Sequence, residues 1–325
     1  MTWLNDAGTE SRRSVLRRAV PAAAAALWHR PAVGRAARAA AAAGEEERIA
    51  EVTAKGEAAG LEPFRVSRAE RFLGVGDAPD SFREGALEIC AALGRLFLSD
   101  LRARGFKLDY PDDRLMVVVL KDSRSYEALL GEAPGIDVGG HFDLNSNRLV
   151  IFDFRPGREG TPGAERMNTF TLVHETAHLL SFNTGLLSLD REPPKCVAEG
   201  LATCFEMWRP RNHAGVSAIN RPRLQAVRDS GETWIDLARL LADDAQLDRE
   251  ETAQLAYGQS WMLVYSLLKN RSDQPKLRAY LEDLRAPGPP PDRLKTAEKH
   301  LGPLEKLDER LKRETRALLR GLPPG

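Results

Sequence analysis

Two histidines four residues apart, with a glutamate directly after the first, occur in one apolar run of the sequence, Val173-His174-Glu175-Thr176-Ala177-His178-Leu179-Leu180. If this run is helical, His174 and His178 lie one above the other on the same face, close enough to bind one metal ion. Glu175 is rotated from His174 by about 100° and can lie beside the metal without binding it. The pattern predicts a hydrolytic zinc site in which Glu175 takes a proton from metal-activated water.

The residues around the two histidines predict the helix that this site needs. Thr161-Pro162 suits a helix start, and Gly185 suits a helix stop. Apolar side chains recur at intervals of three and four residues, at Met167, Phe170, Val173, Ala177 and Leu180. The alternative is that His174 and His178 are unrelated histidines on a half-buried helix.

A candidate third ligand lies in the next predicted helix. After the breaker Glu192-Pro193-Pro194, the run from Val197 to Glu206 places Glu199 among small and apolar residues. The intervening connection is long enough for the second helix to fold back on the first and bring Glu199 to the histidines. Two imidazoles and one carboxylate leave a fourth tetrahedral position for water, as in catalytic rather than structural zinc sites.

These two motifs resemble those of the gluzincin zinc metallopeptidases, the clan that includes thermolysin and the membrane-alanyl aminopeptidases. The phrase from Pro193 to Ala202 is similar to the peptidase-MA-like branch, near a bacterial family of unknown function. The resemblance implies a zincin-like α+β fold and one Zn²⁺ per chain, bound by His174, His178 and Glu199. It also implies hydrolysis of peptide bonds in a peptide or protein substrate, with Glu175 as the general base.

Such enzymes need a hydrogen-bond donor for the oxyanion, and in the enzymes that this chain resembles a tyrosine or histidine from the helical half supplies it. Tyr257 is the first candidate; the alternative is a core aromatic that packs with Trp261 at helical spacing. His213 is the second candidate, and the alternative is a surface histidine. Glu206 could orient a zinc-bound imidazole, or it could be a solvated helix residue.

Strand-like runs in the N-terminal half predict a mixed β-sheet. Residues 71–75 are typical of a strand, and the continuous apolar run 115–120 indicates a central strand buried on both faces. Residues 141–142 and 149–152 flank a polar loop and predict a hairpin. An apolar stripe predicts one long helix beside the sheet, with Ala86, Cys90, Leu93, Phe97 and Leu101 as its members.

The predicted hairpin also has a functional interpretation. Gluzincin-like enzymes are expected to hold an extended peptide along an edge strand by main-chain hydrogen bonds. Either the stretch from Arg148 to Phe154 or its partner strand is the candidate edge. The alternative is an ordinary edge strand that Arg148 and Asp153 protect from further pairing.

The domain organisation follows from these elements. Residues 44–61 are expected to be a linker or a solvated helix, and residues 62–185 an α/β zincin subdomain that carries the first metal helix. Residues 186–322 are expected to form a helical subdomain that supplies the third ligand. Apolar spacing predicts its later helices at Trp234, Leu237, Leu240 and Leu241, at Tyr257, Trp261, Val264 and Leu268, and at Leu304, Leu307, Leu311 and Leu318.

The first 43 residues have the composition of a targeting segment. Arg12 and Arg13 form a twin-arginine pattern that precedes an apolar run from Ala19 to Trp28. The order of these features favours an export signal, which would place the protein in the periplasm or outside the cell. An organelle transit peptide and a disordered arm are the alternatives, because charged residues such as Arg35 interrupt the apolar region.

Charge and hydropathy exclude some functions. The chain has 325 residues and equal numbers of basic and acidic residues, 47 of each. Seven arginines but only two acidic residues lie in 1–44, so the remainder carries about five net negative charges. A mildly acidic body without a basic stripe argues against nucleic acid as a partner. No run is long and apolar enough to predict a transmembrane anchor, and the oligomeric state stays open.

We therefore expect a zinc-dependent metallopeptidase. An endopeptidase is favoured because nothing in the sequence resembles the glycine-rich strand with which the aminopeptidase relatives recognise a free amino terminus. One alternative is a non-catalytic secreted or surface binding module that retains the zincin fold. Another is hydrolysis of a non-peptide amide or ester, which the same metal-water chemistry permits.

Overall fold

The computed structural model describes residues 44–134, 139–153, 162–210 and 215–322, and the predicted export signal lies outside them. The described residues form a mixed α+β structure with eleven α-helices and one five-stranded sheet. In chain order, the elements are α1 (Glu45–Ala58), β1 (Arg65–Ala69), β2 (Phe72–Gly76), α2 (Asp80–Arg102), β3 (Leu115–Leu120), α3 (Ser123–Leu130), β4 (Gly140–Asp143), β5 (Arg148–Phe152), α4 (Pro162–Asn183), α5 (Lys195–Thr203), α6 (Arg221–Asp229), α7 (Leu237–Ala242), α8 (Glu250–Lys269), α9 (Gln274–Arg285), α10 (Arg293–Leu301) and α11 (Leu304–Arg320).

The sheet has the order β1-β2-β3-β5-β4. Strands β2, β3 and β5 are parallel, and β1 and β4 pair antiparallel at the two edges. All six residues of β3 are buried between two neighbours, which confirms the predicted central strand. Strand β5 lies inside the sheet, so its partner β4 is the edge strand of the predicted hairpin.

One face of the sheet is covered by α1 and α3. Val52 of α1 and Tyr126 of α3 join an apolar cluster with alternate residues of the three inner strands β2, β3 and β5. Of the two expectations for residues 44–61, a linker or a solvated helix, the structure has a helix over Glu45–Ala58, and one side of it packs on the sheet. Val52 is 2% exposed because it supplies apolar contact to the sheet, and Arg48 beside it is also buried.

The opposite face of the sheet packs against α2 and α4, and this core continues into the helical half. Its buried members run from Phe72 on β2 to Leu311 on α11, so the two predicted subdomains share one hydrophobic core. The five apolar residues that predict α2 are all buried in it, which confirms that helix. No helix among the described residues has the length and hydropathy to cross a membrane.

Two of the C-terminal helices differ in detail from their predictions. Helix α7 begins at Leu237, so Trp234 precedes it, and the indole Nε1 of Trp234 instead donates a hydrogen bond to Asp308 at 2.8 Å. Helix α8 begins seven residues before Tyr257, which is therefore an interior residue of that helix. Helix α11 includes the four leucines that predict it and ends at Arg320, directly before Gly321.

Helix α5 approaches α8 closely at Gly200. A Cβ atom at this position would lie 2.4 Å from the main-chain oxygen of Ser260. We expect Gly200→Ala to lower the free energy of unfolding by about 1–3 kcal/mol, because the helices must separate to admit the methyl group. Urea-induced unfolding would measure the change.

Gly85 in α2 is the matched control for Gly200. A Cβ atom there would have no neighbour within 4 Å. Gly85→Ala should therefore raise the free energy of unfolding by about 0.5–1 kcal/mol through the better helix propensity of alanine. Equal effects of the two substitutions would contradict the close approach of α5 to α8.

Candidate metal centre

Helix α4 places the two motif histidines on one face, as their spacing predicts. It begins at Pro162, the predicted start, and continues through both residues to Asn183. The ring centroids of His174 and His178 are 4.8 Å apart, and their Nε2 atoms are 3.2 Å apart. Both side chains are buried, with 5% and 2% exposure. The two Nε2 atoms therefore converge on one point beside the helix.

Helix α5 brings Glu199 to the same point. Its Oε2 atom lies 3.2 Å from Nε2 of His174 and 3.3 Å from Nε2 of His178. Two ligand atoms bound at 2.0–2.1 Å to one tetrahedral zinc ion are about 3.3 Å apart. The three atoms thus have the mutual spacing of ligands to a single ion. Within the described part of the chain, His174, His178 and Glu199 form a group that could hold a metal ion.

The charges around this group also suit a cation. Glu175, Glu199 and Glu206 are all buried, and Glu199 and Glu206 are fully so. Burial raises the pKa of Glu199, but the positive charge of His178 and the hydrogen bond with His174 outweigh burial and hold the pKa well below its usual value. The second oxygen of Glu199, Oε1, has no hydrogen-bond partner in the described residues. Buried carboxylates are costly unless paired, and a bound cation would compensate them.

The protonation of His174 reflects the same environment. Burial opposes its charged form, but hydrogen bonds with Glu199 and Glu206 outweigh burial and raise its pKa to about 10. The imidazole thus lies between two carboxylates that contact its two nitrogens, Glu199 at Nε2 and Glu206 at Nδ1. This arrangement favours Nε2 as the ligand atom and Nδ1–H as the donor to Glu206.

Glu175 lies beside the ligands rather than among them. Its Oε2 atom accepts a hydrogen bond of 2.8 Å from the main-chain N–H of Phe142 on the edge strand β4. Burial raises the pKa of Glu175, which brings a carboxylate closer to the range useful to a general base at neutral pH. The sequence gives no signal for this contact because the donor is a main-chain group.

The hairpin that supplies the Phe142 amide is fixed to α4 at further points. The ring of Phe142 stacks on Phe182 with centroids 5.6 Å apart. At the turn of the hairpin, the side-chain amides of Asn147 and Asn183 donate to each other at 2.8 and 2.7 Å. These contacts fix the position of edge strand β4 relative to the carboxylate of Glu175 on α4.

Glu206 contacts His174 directly, in agreement with the orienting role and not with the solvated alternative. Helix α5 ends at Thr203, so Glu206 lies in the turn beyond it and not on the helix. Its Oε1 atom is 2.8 Å from Nδ1 of His174, and the side-chain amide of Asn220 donates to Oε2 at 2.6 Å. Arg223 pairs with both oxygens of Glu206.

The electrostatic state of Glu206 follows from these contacts. Burial opposes its ionisation, but the charge of Arg223 and the hydrogen bonds from His174 and Arg223 prevail and lower its pKa to about 2. Arg223 and Asn220 are both fully buried and lie in and before α6. Neither residue could be predicted from the sequence, because nothing in the run around Arg221-Pro222-Arg223 indicates that α6 packs against α8 and brings these side chains to Glu206.

Of the two candidates for the oxyanion donor, the structure places Tyr257 near the histidines. Its ring centroid lies 6.5 Å from that of His174. Its hydroxyl is buried and has no hydrogen-bond partner in the described residues. Burial, followed by the negative charge of Glu199, raises the pKa of Tyr257 well above its usual value, so the hydroxyl keeps its proton. His213 lies outside the described residues.

One known protein family matches the part of the chain that contains this centre. Residues 168–287 match a family described as a protein of unknown function, DUF1570. The matched stretch includes His174, His178, Glu199 and Tyr257, together with Arg223. A search among curated proteins found no match.

Proposed function

We propose that the protein is a zinc-dependent metallopeptidase with a zincin-like fold of the gluzincin type, and that it cleaves within peptide or protein chains. The observation that carries this proposal is the convergence of His174, His178 and Glu199 at 3.2–3.3 Å with Glu175 beside them. A site that only binds metal has no need of a buried carboxylate next to the ligands. The donor set of two imidazoles and one carboxylate is that of catalytic zinc.

When bound, zinc supplies a Lewis acid that polarises a carbonyl group and lowers the pKa of water toward about 7. The chain's own residues provide the rest of the chemistry. Glu175 accepts the proton of the attacking water and passes it to the leaving amine. The Phe142 amide holds Oε2 of Glu175, which leaves Oε1 for the proton transfer.

Tyr257 is the proposed donor to the oxyanion. Its ring lies 6.5 Å from that of His174, its hydroxyl keeps its proton, and no described residue competes for that hydroxyl. A preorganised donor of this kind contributes about 10²–10³-fold to turnover, because it needs no reorganisation as the charge develops.

The edge strand β4 is the proposed binding surface for the substrate backbone. It is an edge strand of the five-stranded sheet, and the main-chain N–H of its Phe142 donates to the carboxylate of Glu175. An extended peptide that pairs with β4 would place its own carbonyl groups near this carboxylate. At Gly140 the main chain of β4 approaches β5 closely, because a Cβ atom there would lie 2.4 Å from the main-chain oxygen of Val150.

The experiment that tests the proposal compares three substrate classes with the full-length, zinc-loaded protein. We expect cleavage of internal bonds in a mixed peptide library, inhibition by a zinc chelator, and recovery when zinc is restored. Mass spectrometry of the products would give the cleavage positions. Hydrolysis confined to model esters or non-peptide amides would contradict the peptidase assignment. Stoichiometric zinc without hydrolysis of any class would favour a binding module.

A further inference from the structure

The guanidinium of Arg223 has two contacts with the metal centre, one through its edge and one through its face. Along its edge, Nε donates to Oε2 of Glu206 at 2.9 Å and Nη2 donates to Oε1. Over its face, Cζ lies 4.7 Å from the ring centroid of Tyr257. One fully buried side chain therefore contacts both the carboxylate that orients His174 and the proposed oxyanion donor.

The position of Tyr257 depends on packing, because no described residue forms a hydrogen bond with its hydroxyl. The face of Arg223 supplies part of this packing. The two main chains are also close at the next residue: a Cβ atom at Gly258 would lie 2.7 Å from the main-chain oxygen of Arg223. Helices α6 and α8 are thus in close contact beside Tyr257, and a change in the Arg223 side chain would remove the group that covers one face of the ring.

We propose that Arg223 is a positioning residue that fixes two groups at once, the ring of His174 through Glu206 and the ring of Tyr257 through its own face. The role toward His174 concerns metal binding alone. The role toward Tyr257 has catalytic value only through the proposed function, on which it rests. A planar guanidinium can pair edge-on with a carboxylate while its face covers an aromatic ring, whereas an ammonium group cannot do both. The alternative is that Arg223 only compensates the buried charge of Glu206.

Arg223→Lys separates these two possibilities because it keeps the positive charge but loses the planar group. We expect the full-length variant to bind zinc about 10–100-fold more weakly in competition with a chromogenic chelator, as for other losses of an orienting partner. We also expect the visible absorption bands of the cobalt-substituted protein to shift. Arg83→Lys is the matched control, since Arg83 is a buried arginine whose hydrogen-bond partners, Asp80, Ser67 and Ala78, are not part of the metal centre. It should leave zinc affinity and the cobalt bands unchanged.

The contact with Tyr257 has a readout that needs no activity. Tyr257→Phe should remove a near-ultraviolet circular dichroism signal that reports a ring held in one orientation. In an Arg223→Lys background the same substitution should change the spectrum little, because the ring is already released. If the protein hydrolyses peptides, the two substitutions should also combine to lower kcat by less than the product of their separate effects.

Several outcomes would overturn the proposal. Unchanged zinc affinity and cobalt bands in folded Arg223→Lys would remove the role toward His174, and an undiminished Tyr257 signal would remove the role toward Tyr257. If the single variant fails to fold, the pair Arg223→Met with Glu206→Gln removes both buried charges together. Parental zinc affinity and cobalt bands in this pair would show that Arg223 only balances charge. A parent protein that binds zinc but hydrolyses nothing would refute the proposed function and leave these spectroscopic tests intact.

Discussion

Glu175→Gln is expected to lower kcat for peptide hydrolysis by about 10²–10⁴-fold, the usual contribution of a general base, while zinc stays bound. Glutamine has nearly the same shape, and its single side-chain oxygen can still accept the hydrogen bond from the Phe142 amide. It cannot take a proton from water. Steady-state kinetics and elemental analysis of the same preparation would give both quantities.

The matched control for this substitution is Glu88→Gln on the exposed side of α2. It makes the same chemical change without contact to the metal centre, and it should leave kcat and zinc content unchanged. Undiminished hydrolysis in Glu175→Gln would contradict the assignment of Glu175 as the general base. Loss of zinc from Glu175→Gln would instead place Glu175 among the ligands.

Glu199→Ala is expected to weaken zinc binding by far more than 100-fold. The substitution removes a ligand, and it also leaves His174 and His178 without the carboxylate that lies 3.2 and 3.3 Å from their Nε2 atoms. Glu206→Gln provides the comparison, because Glu206 contacts His174 at Nδ1 and not at Nε2, the atom that faces the metal position. The loss of its carboxylate should lower zinc affinity by about 10–100-fold. Zinc affinities measured by chelator competition should follow this order.

The reverse order would exchange the roles of the two glutamates. Zinc that binds to Glu199→Ala as tightly as to the parent would remove Glu199 from the ligand set. Thermal unfolding offers an independent check, because a ligand present at 1,000 times its Kd stabilises the folded state by about 4 kcal/mol. The rise in Tm on addition of zinc should therefore be large in the parent and small in Glu199→Ala.

The parts of this centre that depend on local periodicity could be predicted from the sequence. The spacing of His174 and His178 requires only one turn of helix, and α4 begins and ends where its proline and glycine signals indicate. Glu199 could be predicted because a short connection brings α5 back to α4. In the same way, the continuous run of β-branched and apolar residues at 115–120 indicates the central strand that the structure has there.

The parts that depend on tertiary contact could not be predicted. The Phe142 amide contacts Glu175 because the β4 edge lies against α4, and a main-chain donor has no sequence signature. Arg223 reaches Glu206 because α6 packs against α8 at Gly258. Helix α1 looks like a charged linker because Val52 is one of few apolar residues on the side that covers the sheet.

The most direct test of the metal centre is elemental analysis of the full-length protein after expression with ample zinc, beside His178→Ala. The geometry predicts one zinc ion per chain in the parent and none in the variant, because the three ligand atoms lie 3.2–3.3 Å from one another. A parent without bound metal, or a variant that keeps its zinc, would contradict the assignment of His174, His178 and Glu199 as a zinc site.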